Sequence, residues 1–283
     1  SNAALGWTQI QDAGMEYRLV ELMKQIHAEG NMSHRVYAAV PVSEAQQMIE
    51  KGREKTADDM LDVRAIKVFI DGTLGSRGAA LIDNYSDADH NGFMNRTTEE
   101  ELVPILHQAL RQGIQIETHV IGDRAVRNLL DWYEEAYAAV PRSQWASEDL
   151  RWRMEHAQII PPPDQQRFVE LGVIPSMQPS HGIGDLNFAP DRLGPDRLSY
   201  AYPWQALVDR GLMILAGSDA PVEAGDPRIE FYAAVARKRL DGTSGPGWHQ
   251  ELAVSRETAL KMLTIWPAHG AFQENIRGSI EVG

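Results

Sequence analysis

Four side chains that can bind a metal ion lie within or just after separate apolar stretches of the sequence. Lys67 lies inside one stretch, His119 and His156 lie at or near the ends of two others, and Asp219 follows a fourth after Gly-Ser. Taken singly, a histidine at such a place is more often hydrogen-bonded structure, and an aspartate after Gly-Ser is as often a turn or helix cap. A lysine in an apolar stretch is harder to explain this way, because burying an ammonium without a partner is costly. Together, their nitrogen and oxygen atoms indicate a hydrolytic divalent-metal site.

The apolar stretches are predicted to be parallel strands. Short β-rich segments alternate with helical patterns along the whole chain, which is typical of βα units. The seven predicted strands are 8–11, 35–40, 65–70, 114–119, 151–157, 173–178 and 212–216, and the predicted helices are 97–111, 124–139, 163–171, 202–210, 228–239 and 255–264. In a (β/α)8 barrel the carboxyl ends of the strands carry the chemistry, so the four polar residues are expected to meet there.

Composition excludes several classes of protein. The chain has 283 residues, 43% of them hydrophobic, which suffices for one barrel-sized domain. It contains no cysteine, so disulfide scaffolds, thiolate metal sites and cysteine nucleophiles are excluded. The formal net charge of −13 disfavours a nucleic-acid partner. No apolar run is long enough to span a membrane, and the expected localisation is cytoplasmic, with a native signal peptide left open.

Four sequence blocks resemble the signature motifs of the family 3 amidohydrolases, a group that includes N-substituted formamide deformylases. The blocks are Lys67-Val68-Phe69-Ile70-Asp71-Gly72-Thr73-Leu74-Gly75-Ser76-Arg77-Gly78-Ala79, Thr118-His119-Val120-Ile121-Gly122-Asp123-Arg124-Ala125, Glu155-His156-Ala157 and Gly217-Ser218-Asp219-Ala220-Pro221. They occur in the family's order within a resemblance that runs from about residue 5 to residue 283. The resemblance implies a (β/α)8 barrel of the metal-dependent hydrolase kind.

The resemblance also implies a set of metal ligands. In that superfamily a His-x-His pair ends strand one, and a carboxylated lysine bridges two metal ions, with zinc the expected metal. Lys67 matches the bridging position, His119 and His156 match the two later histidines, and Asp219 matches the carboxylate of strand eight. Carboxylation would turn the costly ammonium of Lys67 into an anionic ligand.

The chain departs from the family pattern at strand one. None of its nine histidines is separated from another by a single residue, so no His-x-His pair is present. Ser1-Asn2-Ala3 is typical of an expression vector, and residues 4–283 are interpreted as barrel strands two to eight, without strand one and without the family's accessory β-sandwich. The open edge is expected to be covered by pairing of strand two with strand eight, by the N-terminal tail, or by a second copy of the chain.

The resemblance implies hydrolysis of an amide or formamide carbon–nitrogen bond by metal-activated hydroxide. Asp219 would be the catalytic base and then the acid. Arg77, Asp123, Arg124 and His181 are candidate contacts to a small-molecule substrate; a local salt bridge is the alternative for Asp123 and Arg124, and a surface-loop position for His181. Glu155 is a candidate partner that orients a ligand histidine. The 283 residues alone are expected to be inactive, because the first metal site keeps only Lys67 and Asp219.

Three alternatives stay open at this stage. A phosphodiester or lactone hydrolase could use the same metal chemistry, since the pocket alone selects the substrate. A metal-free binding protein could share the fold. A phosphate-binding barrel is disfavoured, because Asp219 places a carboxylate where a phosphate would lie. The loop 74–96 is long for a barrel connection, and it is interpreted as facing the substrate or as a tolerated insertion.

Overall fold

The structure is a computed structural model that describes residues 2–243 and 248–282. Ser1, which belongs to the vector-like start, and Gly283, which ends the last motif, lie outside the described residues, as do residues 244–247. Among the described residues, no helix is long and apolar enough to cross a membrane.

The chain forms an incomplete α/β barrel whose sheet confirms the predicted topology. Its strands are β1 (Gln9–Ala13), β2 (Arg35–Pro41), β3 (Glu54–Lys55), β4 (Leu61–Phe69), β5 (Gln115–Val120), β6 (Arg153–His156), β7 (Ile174–Met177) and β8 (Leu215–Ala216). The sheet order is β1-β2-β4-β5-β6-β7-β8, with every neighbouring pair parallel. Seven strands thus follow one another in sequence order. The short β3 was not predicted and pairs antiparallel with β4.

Helices join the strands, and most of them pack against the outside of the sheet. They are α1 (Tyr17–Ala28), α2 (Ala45–Lys51), α3 (Glu99–Gln112), α4 (Asp123–Ala139), α5 (Pro162–Leu171), α6 (Pro179–Gly184), α7 (Ala189–Leu198), α8 (Trp204–Asp209), α9 (Pro227–Ala236), α10 (Arg256–Leu263) and α11 (Ile265–Gly270). The six predicted helices are all present, with small shifts at their ends. The sequence reading did not predict α1, α2, α6, α7 or α11.

Helix α3 shows why local sequence predicted these elements well. Thr98 and Glu101 form a capping box that satisfies backbone N–H groups at the start of the helix. Glutamates at 99, 100 and 101 complement the positive end of the helix dipole. Gly113 ends the helix in the left-handed region with φ of 68°, which glycine adopts without steric cost.

The apolar core lies mainly between the sheet and the helices. A second, small apolar cluster lies on the inner face of the sheet. That inner cluster consists of Tyr37, Ala39, Ala65 and Ala271, all fully buried. Ala271 follows α11, so the C-terminal part of the chain enters the barrel. Residues 265–277, together with the amino ends of β5 and β6, are called the floor below; the carboxyl ends of the strands and the loops after them are called the mouth.

The gap between β1 and β8 is covered in a way that the sequence predicted only in part. Within the described residues these two strands end the hydrogen-bonded order and do not pair with each other, so the first of the three predicted alternatives is wrong. The N-terminal tail does contribute, because the Trp7 indole donates to the carbonyl of Gly225 at 2.6 Å. The floor contributes more: Gln11 donates to the carbonyl of Pro267 at 3.0 Å, and Gln9 to the Gln273 side chain at 2.7 Å. Covering by a second copy stays a prediction.

Candidate metal centre

Parallel strand register aligns the predicted ligands on neighbouring strands at the mouth. Lys67 of β4 lies beside Glu117 of β5. Two residues closer to the mouth, Phe69 lies beside His119. His156 closes β6 beside Val120 of β5. The carboxyl ends of parallel strands lie at one edge of the sheet, so this register brings residues far apart in sequence to one place.

The described residues contain a group of three side chains able to hold a metal ion: His156, His181 and Asp219. One ligand atom from each lies within 4.8 Å of those of the other two. The ring centroids of His156 and His181 are 5.7 Å apart, and those of His119 and His156 are 4.6 Å apart. Three histidines and one carboxylate therefore converge at the mouth. The sequence placed His181 among possible substrate contacts, whereas the structure groups it with the ligand candidates.

Hydrogen bonds from two glutamines hold the histidine rings. Nδ1 of His156 donates to Oε1 of Gln178 at 2.7 Å, which directs Nε2 of the ring away from Gln178. The Gln158 amide lies 3.4 Å from Nδ1 of His181 and 3.4 Å from the Tyr202 hydroxyl. Both contacts fix the orientation of a ring, and the N–H that His156 donates also raises the basicity of that ring. Both glutamines are buried.

The free nitrogen atoms of two of these histidines suit a metal ion. Nε2 of His119 and Nε2 of His181 are buried without a hydrogen-bond partner in the described structure. An unpaired buried polar atom costs free energy unless a ligand satisfies it. Nε2 of His181 is 3.8 Å from Asp219 and 3.9 Å from Glu223. Imidazole and carboxylate form a donor set that divalent zinc accepts, so the residues present fit such an ion.

Burial keeps these imidazoles neutral, which is the form that binds a metal. Burial lowers the pKa of His119 to about 3, with the charge of Lys67 as the next cause. Burial likewise lowers the pKa of His181 to about 4 and that of His156 well below its ordinary value. Burial raises the pKa of Asp219, while the nearby charge of Lys67 opposes this rise.

Lys67 lies in a buried layer of charged side chains below the histidines. Burial lowers the pKa of its amine, and the carboxylates of Glu155, Glu117 and Asp219 act against this. Arg153 pairs with Glu117 and lies 3.2 Å from Glu155, with little exposure of any of the three. Glu155 thus faces Arg153, and its expected contact with a ligand histidine stays a prediction. Within this layer Arg153 and the two glutamates carry opposite charges. Burial favours the neutral form of the Lys67 amine.

Asp71, which the sequence left without a role, anchors the loops of the mouth. Its carboxylate accepts backbone N–H bonds from Ala80, Ile121 and Gly122 at 2.8–3.0 Å. It also lies 3.8 Å from Nε2 of His119. Burial raises its pKa to about 7, although the three N–H groups oppose the rise. One side chain therefore joins the loop after β4 to the turn that follows His119.

Backbone geometry at two of the ligand candidates is unusual. His156 has φ of 71° and Asp219 has φ of 55°, in the left-handed region that residues other than glycine seldom adopt. Such conformations persist where the surrounding structure enforces them, and they cluster at functional sites. His156 is the last residue of β6 and Asp219 lies in the loop after β8, so the local backbone turn sets the direction of each ligand side chain.

The other predicted substrate contacts face the long loop after β4. The Arg77 guanidinium donates to both carboxylate oxygens of Asp87 at 3.0 and 2.9 Å. Asp123 accepts from the backbone N–H of Ile82 at 2.9 Å, and Arg124 donates to the carbonyl of Gly92 at 3.2 Å. These contacts organise the loop. A role for Arg77, Asp123 and Arg124 in substrate binding stays a prediction.

Comparison with known proteins identifies the family of the chain. The model of the amidohydrolase family matches residues 3–283. The chain belongs to the amidohydrolase family. It is 28% identical to an N-substituted formamide deformylase of Arthrobacter pascens over 99% of the chain and 51% of that protein.

Solved structures of metal-dependent hydrolases share the fold. The chain is similar to an uncharacterized metal-dependent hydrolase from Pyrococcus furiosus, with a TM-score of 0.83 and 27% identity over 100% of this chain and 55% of the other. A second, from Pyrococcus horikoshii OT3, gives a TM-score of 0.85 and 25% identity over 99% of this chain and 55% of that one. The chain thus spans about half the length of these amidohydrolase relatives.

Proposed function

We propose that the protein to which this chain belongs is a metal-dependent hydrolase that cleaves the carbon–nitrogen bond of amides or formamides. The convergence of His156, His181 and Asp219 within 4.8 Å, beside a buried and unpaired nitrogen of His119, carries the proposal. The similarity to a protein named N-substituted formamide deformylase supports the substrate class.

His156, His181 and Asp219 would hold one divalent ion, with zinc proposed because the donors are imidazole nitrogen and carboxylate oxygen. His119 and a carboxylated Lys67 would contribute from the neighbouring strands. When bound, the metal supplies a lowered pKa for an attacking water and polarises the carbonyl of the substrate. Because the sequence has no His-x-His pair, these 283 residues by themselves are proposed to lack turnover.

Asp219 is proposed to move the proton in this reaction. Its carboxylate lies at the mouth, is less buried than the histidines, and has a pKa raised by burial. A raised pKa makes the carboxylate a better base for the attacking water, and the protonated carboxyl can then pass that proton to the leaving nitrogen. His156, held by Gln178, and His181, held beside Gln158, keep the site rigid while the proton moves.

The test compares substrates on the natural full-length protein. A panel of N-substituted formamides, simple amides, a lactone and a phosphodiester is assayed with zinc present and after chelation. We expect turnover of the formamides or amides that stops on chelation and is lost in Asp219→Asn. An Asp209→Asn variant, changed at the exposed end of α8 before β8, serves as the control and retains turnover. Turnover confined to the lactone or phosphodiester, or turnover insensitive to chelation, contradicts the proposal.

A further inference from the structure

A groove beside the candidate metal centre has a chemical character of its own. It has a volume of about 690 Å³, and its lining includes Val42, Phe69, Arg96 and Ile105. Phe69 ends β4, yet 44% of it is exposed. An exposed aromatic ring at the end of a barrel strand is a ready contact surface for an apolar ligand group.

Phe69 joins the groove to the centre. Its ring centroid lies 5.1 Å from that of His119, and Nζ of Lys67 is 5.1 Å from the same centroid. The backbone N–H of Thr97 donates to the Phe69 carbonyl at 2.9 Å, which fastens the Arg96 segment to the end of β4. A molecule lying on Phe69 would therefore reach the ligand histidines at one end and Arg96 at the other.

Arg96 gives the groove a cation. Among the described residues Arg96 forms no ion pair, whereas Arg77 of the same loop pairs with Asp87 at 2.9 Å. Glu101, the one acidic residue lining the groove, accepts the backbone N–H of Thr98 at 2.9 Å in the capping box of α3. The Glu101 carboxylate is thus held in the capping box and forms no ion pair with Arg96 among the described residues. The charge of Arg96 is also felt at His119, where it adds to the effects of burial and Lys67 on the pKa of the imidazole.

We propose that this groove binds the part of the substrate remote from the reacting carbon, as an apolar or aromatic group on Phe69 that carries a carboxylate to Arg96. The proposal rests on the proposed function for the identity of the reacting bond, but not for the binding itself. A guanidinium forms charge-assisted bonds to a carboxylate, and an aromatic ring next to it favours a flat apolar body. The expected substrates are N-acylated compounds of this kind, such as N-formyl aromatic amino acids.

Binding to this chain can be measured without catalysis. The probes are 3-phenylpropionate and its neutral analogue 3-phenylpropionamide, titrated by calorimetry into the wild type and into Arg96→Gln, Phe69→Ala and a control, Arg111→Gln, which changes an exposed arginine at the far end of α3. We expect the acid to bind more tightly than the amide, Arg96→Gln to weaken the acid about tenfold with little effect on the amide, and Phe69→Ala to weaken both. Arg111→Gln should match the wild type.

Equal binding of the acid by wild type and Arg96→Gln, or no binding of either probe at millimolar concentration, overturns the proposal. Circular dichroism of each variant shows whether a loss of binding reflects misfolding, and Arg96→Lys, which keeps the charge, should restore part of the affinity. The two proposals can fail separately. If the probe binds through Arg96 but the full-length protein hydrolyses no carbon–nitrogen bond, the proposed function is wrong and the groove proposal stands. If the full-length protein hydrolyses formamides and Arg96→Gln has the wild-type KM for both an anionic and a neutral formamide, the groove proposal is wrong and the proposed function stands.

Discussion

The ligand histidines at the mouth and the Gln115 and Arg151 side chains at the floor differ in their hydrogen bonding. At the floor, Gln115 donates to the carbonyl of Gly270 at 2.9 Å, and Arg151 donates to both carboxylate oxygens of Glu274 at 2.9 and 2.8 Å. At the mouth, the buried Nε2 atoms of His119 and His181 have no partner among the described residues.

The contrast separates stability from function within one sheet. At the floor Gln115 and Arg151 find partners within the chain, which ties the C-terminal segment to β5 and to the residues before β6. The mouth leaves nitrogen atoms unsatisfied at a cost in folding free energy, which a bound ligand would repay. The same strands therefore serve packing at their amino ends and chemistry at their carboxyl ends.

The largest expected effect is a loss of metal binding at the mouth without a loss of stability at the floor. His156→Gln removes the histidine shared by the close pairs with His119 and His181. We expect zinc affinity, measured by competition with a chelating dye, to fall by about 100-fold or more, beyond the usual effect of losing an outer-shell partner. The melting temperature without metal should change little. His90→Gln, at an exposed loop histidine, is the control; unchanged zinc affinity in His156→Gln would remove this residue from the site.

The next effect is a loss of stability at the floor without a loss of metal binding at the mouth. A Cβ atom added at Gly270 would lie 2.1 Å from Cδ2 of the buried Leu215 in β8. Gly270→Ala should therefore lower the free energy of unfolding by roughly 1–3 kcal/mol, the usual cost of overpacking. Urea denaturation measures it, and zinc affinity should stay at the wild-type value.

Gly217→Ala is the matched control for stability, since nothing lies within 4 Å of the added Cβ. If Gly270→Ala is as stable as Gly217→Ala, close packing of the floor against β8 is not what covers the gap.

The smallest effect concerns acid. The hydrogen bond from Arg151, ahead of other causes, lowers the pKa of Glu274 from 4.5 to about 2. A carboxylate with a depressed folded-state pKa stabilises the fold fully above its unfolded value, and this contribution is lost as the pH falls toward the folded one. Melting temperatures from about pH 6 to about pH 3 should fall less steeply for Glu274→Gln than for the wild type. Parallel curves would show that the pair contributes nothing at the floor.

Local pattern predicted most of the fold, because the strands and α3 carry their own signals. The predicted strands end close to the observed ones, and Thr98, Glu101 and Gly113 set the bounds of α3 as capping rules require. The floor could not be predicted, since α11 has a short, mixed sequence, and its place depends on contacts with residues more than 200 positions away.

The site was predictable where a polar residue ends an apolar strand, and less so elsewhere. His119 and His156 stand at strand ends and meet at 4.6 Å. His181 follows its strand by several residues and is turned toward the centre by α6, a helix of six residues with no clear periodicity. Gln178, which holds His156, ends the predicted strand 173–178 and could have been found by the same rule had uncharged side chains been considered.

The contacts between the floor and β1 also bear on how the chain is made. The hydrogen-bond partners of Gln9 and Gln11, Gln273 and Pro267, follow them in the sequence by 264 and 256 residues. During synthesis, β1 is complete long before the residues that contact Gln9 and Gln11 leave the ribosome. Contacts of such long range slow folding, and an open strand edge is a template for association with other chains. The side chains of Gln9 and Gln11 therefore stay without these partners until residues 267 and 273 have been synthesised, after every strand of the sheet.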